Sequence, residues 1–271
     1  MSEEKIKPWR GKHPTQDHFS VLITKDCDVY APDGTPLLAY RREAVPEEVL
    51  DGAYEAFHKM RGQLSYNRAQ YAGLVATKHR ADGTESRTSK TVDAEGKQMG
   101  VRSAVCGYFE PAGGRTPFPR ECGFNVNHPE LWKTIVPCAQ AVADVYRKAF
   151  GGRYKAQMKT VEPVRQYTIQ NTPFSTLTVN NCVSSAYHKD AGDLKSGMGC
   201  MLAYRRGSYE GCQLVIPEYQ LAVDMNHGDV IVFNPRIWHG NLPFKNTEGE
   251  EGKDWERITI VHYFRERLLR C

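Results

Sequence analysis

An α+β chain is what this sequence predicts, with helices in its first half and a β-sandwich or barrel in its second. Three observations carry that expectation. Two stretches before residue 150 repeat apolar residues at helical spacing. Seven short β-rich runs crowd residues 164–264, split by Gly, Asn and Asp. The composition, 40% hydrophobic and 25% charged over 271 residues, is that of a folded domain rather than a disordered or collagen-like chain.

The elements follow in order. Residues 19–41 read as a hairpin: Val21 and Ile23 in a β-branched run, the turn Pro32-Asp33-Gly34-Thr35, then Leu37 to Tyr40. Pro46 opens a helix whose stripe is Val49, Leu50, Ala53, Phe57 and Met60. Residues 77–100 hold almost no apolar side chain and read as a mobile insertion. A second helix begins at His128-Pro129-Glu130, carries Leu131, Ile135, Val142, Val145 and Tyr146, bends or breaks at Pro137 and stops at Gly151-Gly152. Strands are then expected at Val164–Ile169, Phe174–Asn180, Cys200–Tyr204, Gln213–Ile216, Leu221–Asp224, Val230–Asn234 and Arg257–Phe264. The chain is expected to be one catalytic unit over 1–271. Residues 1–150 support it with hairpin, helices and basic loop, and 151–271 form the β core.

No run approaches the roughly 18–20 apolar residues of a membrane span, and Met1-Ser2-Glu3-Glu4-Lys5 lacks the apolar core of a secretory signal. The expectation is an intracellular protein, cytoplasmic or, in a eukaryote, nuclear, with no obligate protein partner. The eight cysteines include no Cys-x-x-Cys pair, so neither structural zinc nor a disulfide framework is expected. The formal charge of +4 is uneven. Residues 59–102 hold nine Lys/Arg against four acids, a basic stretch suited to phosphates or simply to solvent.

Three His-x-acid triplets occur. His128-Pro-Glu130 sits at a helix start and His227-Gly-Asp229 in a turn, both structural settings. His188-Lys189-Asp190 follows a strand and enters the loop Ala191-Gly192-Asp193. On an extended chain residues i and i+2 share a side, so His188 and Asp190 can grip one ion. His239, after the run ending Ile237-Trp238, supplies the third ligand of a two-His, one-carboxylate triad with open positions. Arg257 and Thr259 share a face of the last strand, a guanidinium fork and a hydroxyl for a carboxylate.

The order His188-x-Asp190, His239, Arg257-x-Thr259 resembles the iron(II)- and 2-oxoglutarate-dependent dioxygenases. The stretch Thr172–Asn181, with His188–Asp193 and Trp238-His239-Gly240-Asn241, resembles the ten-eleven translocation and base-J-binding (TET/JBP) branch. That resemblance covers roughly residues 100–266. It implies a double-stranded β-helix (jelly-roll) core, with Fe(II) held by His188, Asp190 and His239. It also implies 2-oxoglutarate and O2 as cosubstrates, with Arg257 and Thr259 on the far carboxylate of 2-oxoglutarate. The implied reaction is oxidation of the methyl group of a 5-methylpyrimidine in DNA, which must be flipped out or single-stranded.

The same resemblance implies base contacts at Asp193, three past Asp190, and Tyr263, six past Arg257. A carboxylate accepts from the N4 amine of cytosine and faces O4 of thymine unfavourably, which favours 5-methylcytosine as substrate, giving 5-hydroxymethylcytosine or further oxidation. A thymine hydroxylase forming 5-hydroxymethyluracil is the near alternative. A protein or small-molecule hydroxylase, or a non-catalytic nucleic-acid-binding barrel, is more distant. Arg80, Arg87, Lys90 and Arg102 are the expected phosphate contacts.

Overall fold

The structure, a computed structural model, describes the chain except residues 67, 69, 74–76, 80–84, 88–99, 113–115 and 246, with backbone alone at 70, 77–79 and 85–87. Among the described residues, twelve strands build two facing sheets. They are β1 (Val21–Ile23), β2 (Cys27–Tyr30), β3 (Pro36–Arg41), β4 (Ser103–Phe109), β5 (Arg120–Glu121) and β6 (Thr176–Asn181). After them come β7 (Gly199–Arg206), β8 (Leu214–Ile216), β9 (Leu221–Val223), β10 (Val230–Phe233), β11 (Gly240–Asn241) and β12 (Glu256–Tyr263). The larger sheet runs β2-β3-β10-β7-β12-β6-β4-β5 and the smaller β1-β9-β8-β11. Among the described residues five α-helices lie outside them: α1 (Glu3–Ile6), α2 (Glu47–Lys59), α3 (Gly123–Asn127), α4 (Pro129–Ala149) and α5 (Gly151–Val161).

Alternation divides the larger sheet into two interiors. Leu202 and Tyr204 on β7, Val230 and Val232 on β10, and Ile258 and Ile260 on β12 point outward. They pack with Phe57 of α2 and Ile135, Val142 and Tyr146 of α4. The apolar stripes of those helices bury there, which is why the two long helices lie on that face. The intervening residues Met201, Ala203, Ile231 and Phe233 point inward, against Leu214, Ile216 and Val223 of the smaller sheet. That space between the sheets is where the functional side chains converge.

Several elements differ from the sequence expectation. Val164–Ile169 is not a strand: residues Glu162–Tyr167 form a 3-10 helix, with Pro163 in its first turn. Val161 and Val164, three apart, bury together against Leu194, Phe264 and Leu268, so the β-branched pair serves a helical spacing. Gly151-Gly152 does not end helical structure. The break falls at Phe150 (φ −132°), and α5 starts at Gly151. Pro137 stays inside a continuous α4, and Pro46 caps α2 from just outside it.

The expected hairpin exists as β2 and β3, with Ala31 N–H and Gly34 N–H closing the turn between them. Val21–Ile23, however, leaves that hairpin and pairs in parallel with Leu221–Val223. β4 was not expected; it pairs with β6 from Ser103 opposite Asn180 to Gly107 opposite Thr176. Gly107 (φ +97°) is required there, because a Cβ would lie 2.3 Å from the Ser175 carbonyl oxygen. Within the expected insertion, the backbone of Thr77–His79 pairs antiparallel with that of Glu85–Arg87. No described helix is long and apolar enough to cross a membrane.

Candidate active site

His188 and His239 meet as an isolated antiparallel bridge. The N–H of His188 donates to the His239 carbonyl (3.0 Å) and the N–H of His239 to the His188 carbonyl (3.1 Å). Residues paired in this way project their side chains to one side, and the two rings lie 4.2 Å apart between centroids. Gly240 permits the approach, since a Cβ there would sit 3.0 Å from Ser185 O and Tyr187 N. Asp190 is fixed by its N–H to the Pro235 carbonyl (2.9 Å). Its two carboxylate oxygens lie 3.6 Å from His188 Nε2 and 3.5 Å from His239 Nε2. One ligand atom from each of the three residues falls within 4.8 Å of the others.

The tautomers suit ligation. His188 Nδ1 lies 2.7 Å from the Ala186 carbonyl and His239 Nδ1 2.9 Å from the Ile237 carbonyl. A carbonyl only accepts, so each Nδ1 carries the proton and each Nε2 presents a lone pair toward Asp190. Burial, with His239 next, pushes His188 down to about 4. Burial would raise Asp190, but the two histidines and Arg68 outweigh it and hold the carboxylate at about 2. Two neutral imidazoles and one ionised carboxylate on one side of a metal form a donor set that fits Fe(II) and leaves positions open.

These three side chains open on a cavity of about 370 Å³, which Asp193, Thr259 and Tyr263 also line. Arg257 is on the same face of β12 as Thr259, Val261 and Tyr263, but sits behind that wall, 3% exposed, beside Tyr209, Cys212 and Cys182. No ion pair among the described residues engages it, and the groups that face it are Cys212, Tyr209, Cys182 and, more weakly, Asp224. A buried cation without a counter-charge is costly. The arrangement therefore fits an anionic group entering from the cavity side, as a carboxylate of 2-oxoglutarate would.

At the other side of the cavity Asp193 bridges to Arg265, and Leu194 N–H donates to Phe264 O alongside. Burial, then the neighbouring Asp190, pushes the Asp193 carboxyl well up, against the pull of Arg265 and Arg236. Tyr263 Oη is 3.1 Å from Thr178 Oγ1 and receives a hydrogen bond from Arg265 Nη2 (3.1 Å). Arg265 is held in turn by both oxygens of Glu110 (3.1 and 3.2 Å) and lies over the Phe109 ring.

Arg265, Glu110, Arg68 and Tyr71 were not singled out from sequence. Arg265 was within reach, since it extends the alternation 257-259-261-263 by one more step. Arg68 and Tyr71 fall in the basic stretch. Arg68 lines the cavity and reaches Thr178 Oγ1 (3.4 Å), and Tyr71 stands edge-on to His188 at 4.7 Å. Only the tertiary fold brings them there.

Of the expected phosphate contacts, Arg80 and Lys90 lie outside the described residues, and Arg87 is described by backbone only. Arg102 is half-exposed and ion-paired to Glu251. The other two triplets have structural partners. His227 Nδ1 accepts the Arg205 N–H. Asp229 accepts from Tyr40 Oη and from the N–H groups of Glu43 and Asn226. His128 stands at the start of α4, where its carbonyl accepts the Trp132 N–H (2.9 Å).

A family model described as Tet_JBP, oxygenase domain of the 2OGFeDO superfamily, matches residues 104–266. Among curated proteins, the thymine dioxygenase JBP1 of Leishmania braziliensis is 34% identical over 218 residues, covering 76% of this chain and 26% of that protein. The thymine dioxygenase JBP1 of Trypanosoma brucei brucei is 32% identical over 198 residues, 71% of this chain and 23% of that one. The chain thus spans about a quarter of the length of these relatives. Among solved structures, NgTET1 in complex with 5mC DNA superposes with a TM-score of 0.62 at 13% identity, covering 93% of this chain and 81% of that one. That likeness shows a shared α+β fold with a double-stranded β-helix core.

Proposed function

The chain belongs to the Tet_JBP family of 2OGFeDO oxygenase domains, and from that premise we propose an Fe(II)- and 2-oxoglutarate-dependent dioxygenase that hydroxylates the 5-methyl group of a pyrimidine in DNA, thymine foremost. The observation that carries this reading is one cavity lined both by His188, Asp190 and His239 and by Tyr263, Asp193 and Arg265. The first three would hold iron; the second three suit a flat base with polar edges. With 2-oxoglutarate and O2, bound iron supplies the oxidising power that turns a methyl C–H into C–OH, releasing succinate and CO2.

The chain's own residues supply placement. Arg257, with Thr259 nearer the cavity, holds the far carboxylate of 2-oxoglutarate by charge and hydrogen bonds. Met201, Leu214 and Phe233 make the cavity wall between the sheets apolar and exclude water. Tyr263 offers a ring held by Thr178 and Arg265, against which a base can stack. A methyl group within a stacked duplex cannot enter this cavity, so the base must be flipped out or unpaired.

Asp193 beside Arg265 makes an acceptor next to a donor. Thymine matches that pair with its N3–H and a carbonyl oxygen, and because burial favours the protonated carboxyl of Asp193, O4 would meet an O–H donor rather than a repelling charge. The curated relatives named as thymine dioxygenases support this choice. The second reading, 5-methylcytosine, rests on Asp193 as acceptor for the N4 amine with Arg265 donating to N3.

Nucleoside mass spectrometry decides between them. DNA containing both thymine and 5-methylcytosine is treated with the protein, Fe(II), 2-oxoglutarate and ascorbate, with Asp190→Ala as control. The expected product is 5-hydroxymethyluracil, absent with the variant. 5-Hydroxymethylcytosine in its place selects the second reading. Succinate without any oxidised base removes DNA as the substrate.

A further inference from the structure

Each residue next to a histidine of the bridge points away from the cavity, because neighbours on an extended chain alternate sides. For His188 these are Tyr187 and Lys189; for His239 it is Trp238. All three meet residues 3–19. Tyr187 N–H donates to Lys12 O (2.9 Å) and Gly11 N–H to Tyr187 O (3.0 Å), a reciprocal backbone pair immediately before the first ligand. The Tyr187 ring, fully buried, stacks on Trp9 at 5.8 Å, and its hydroxyl lies 3.1 Å from His18 Nδ1. Trp9 and His18 stack on each other at 3.9 Å.

Lys189 donates to Glu3 Oε1 (2.7 Å) and lies over the Trp238 ring at 5.3 Å. Trp238 and Tyr187 share one apolar cluster with Ile6, against which Trp9 and Phe19 also pack. Behind the His188–His239 bridge, then, stands a segment that contributes nothing to the cavity wall.

We propose that residues 3–19 form a clasp that positions the His188–His239 bridge, so that metal affinity depends on contacts made on the far side of the ligands. The inference rests on the metal site proposed above. Orientation is the reason it matters. The imidazoles are aimed by their Nδ1 bonds to Ala186 O and Ile237 O, and those carbonyls lie two residues before each ligand, in the segments the clasp holds. If Tyr187 and Trp238 loosen, the Nε2 atoms no longer converge, and metal binding must restore the order at its own expense.

The test is Mn(II) titration of the purified full chain, reading free Mn(II) by electron paramagnetic resonance, beside thermal unfolding of each metal-free protein. Replacing Ile6 and Trp9 together (Ile6→Ala, Trp9→Ala) is expected to weaken Mn(II) binding about tenfold, in the range of outer contacts to metal ligands. Lys189→Met is expected to weaken it about threefold, and Lys189→Arg, which keeps the charge for Glu3 and Trp238, to restore it. Folded variants that bind Mn(II) like the parent overturn the clasp. Should the double variant fail to fold, the Lys189 pair decides, because that side chain is partly exposed and its loss leaves the core intact. A parent chain that does not bind Mn(II) removes the metal site itself, and the clasp with it.

Discussion

The two faces of β12 are buried almost equally and do different things. Ile258, Ile260 and His262 face the helices at 0% exposure, while Arg257, Thr259 and Tyr263 face the cavity at 3–8%. Burial alone would class all six as core. Chemistry separates them: on the helix side apolar partners fill the space around the two isoleucines, whereas on the other side a hydroxyl and a phenol line an opening, with the Arg257 guanidinium buried behind them. Removal of a side chain should therefore cost folding on one face and ligand on the other.

The largest expected effect is on the helix face. Ile260→Ala leaves a void among tightly packed neighbours and should destabilise the chain by about 2–5 kcal/mol, read from urea or thermal unfolding. At temperatures where it remains folded, its requirement for 2-oxoglutarate should match the parent. Next comes Arg257→Met on the opposite face. It should raise the apparent 2-oxoglutarate requirement about a hundredfold, in line with the loss of one member of a buried charge pair, while Mn(II) affinity and the melting temperature stay near parental values. A melting temperature that falls as far as that of Ile260→Ala would erase the distinction between the faces.

His262 sharpens the comparison, because it is a titratable group on the apolar side. Its Nδ1 lies 3.2 Å from the Ile260 carbonyl, its Nε2 has no partner among the described residues, and burial holds it down to about 4. The unfolded chain takes up that proton near pH 6.5 and the folded one only near 4, so the unfolded state binds more protons between the two. Stability from this group is intact above about pH 6.5 and is lost as pH falls toward 4. His262→Leu should shrink the acid loss of stability over that window by on the order of 2 kcal/mol, measured as unfolding midpoints from pH 7 to 4. An unchanged acid profile would mean that the imidazole is reached by water.

How much of this was legible in the sequence depends on how local the cause is. β7, β10 and β12 were readable because each is a continuous apolar or alternating run closed by a turn, and the His188-x-Asp190, His239 order marks the site through spacing along such strands. β4 was not readable: Ser103-Ala-Val-Cys-Gly-Tyr-Phe109 is interrupted by Gly107, whose positive φ is demanded by β6, a neighbour about 70 residues away. α5 begins at two glycines and buries only Gln157 and Val161, so no stripe announces it. Arg68 and Tyr71 reach the cavity, and residues 3–19 the back of the ligand bridge, by contacts that no local pattern encodes. The Tyr263 end of the cavity lies between these cases, since Tyr263 and Arg265 continue an alternation already visible from Arg257.

The smallest expected effect tests that end. Tyr263 has its hydroxyl tied to Thr178 and Arg265, so its ring is fixed before any base arrives. Stacking on a fixed aromatic is worth about 1–3 kcal/mol per base, and Tyr263→Ala should accordingly lower DNA oxidation about tenfold. Tyr263→Phe keeps the ring and removes only the tie, so it should retain most of the activity. Because Arg257 and the metal ligands are untouched, succinate formation without DNA should remain parental in both variants. If Ala and Phe lose activity equally, the hydroxyl rather than the ring carries the role, and the base contact passes to Arg265 and Asp193. If succinate formation falls as well, Tyr263 serves the cosubstrate end, and the cavity face of β12 is one ligand site rather than two.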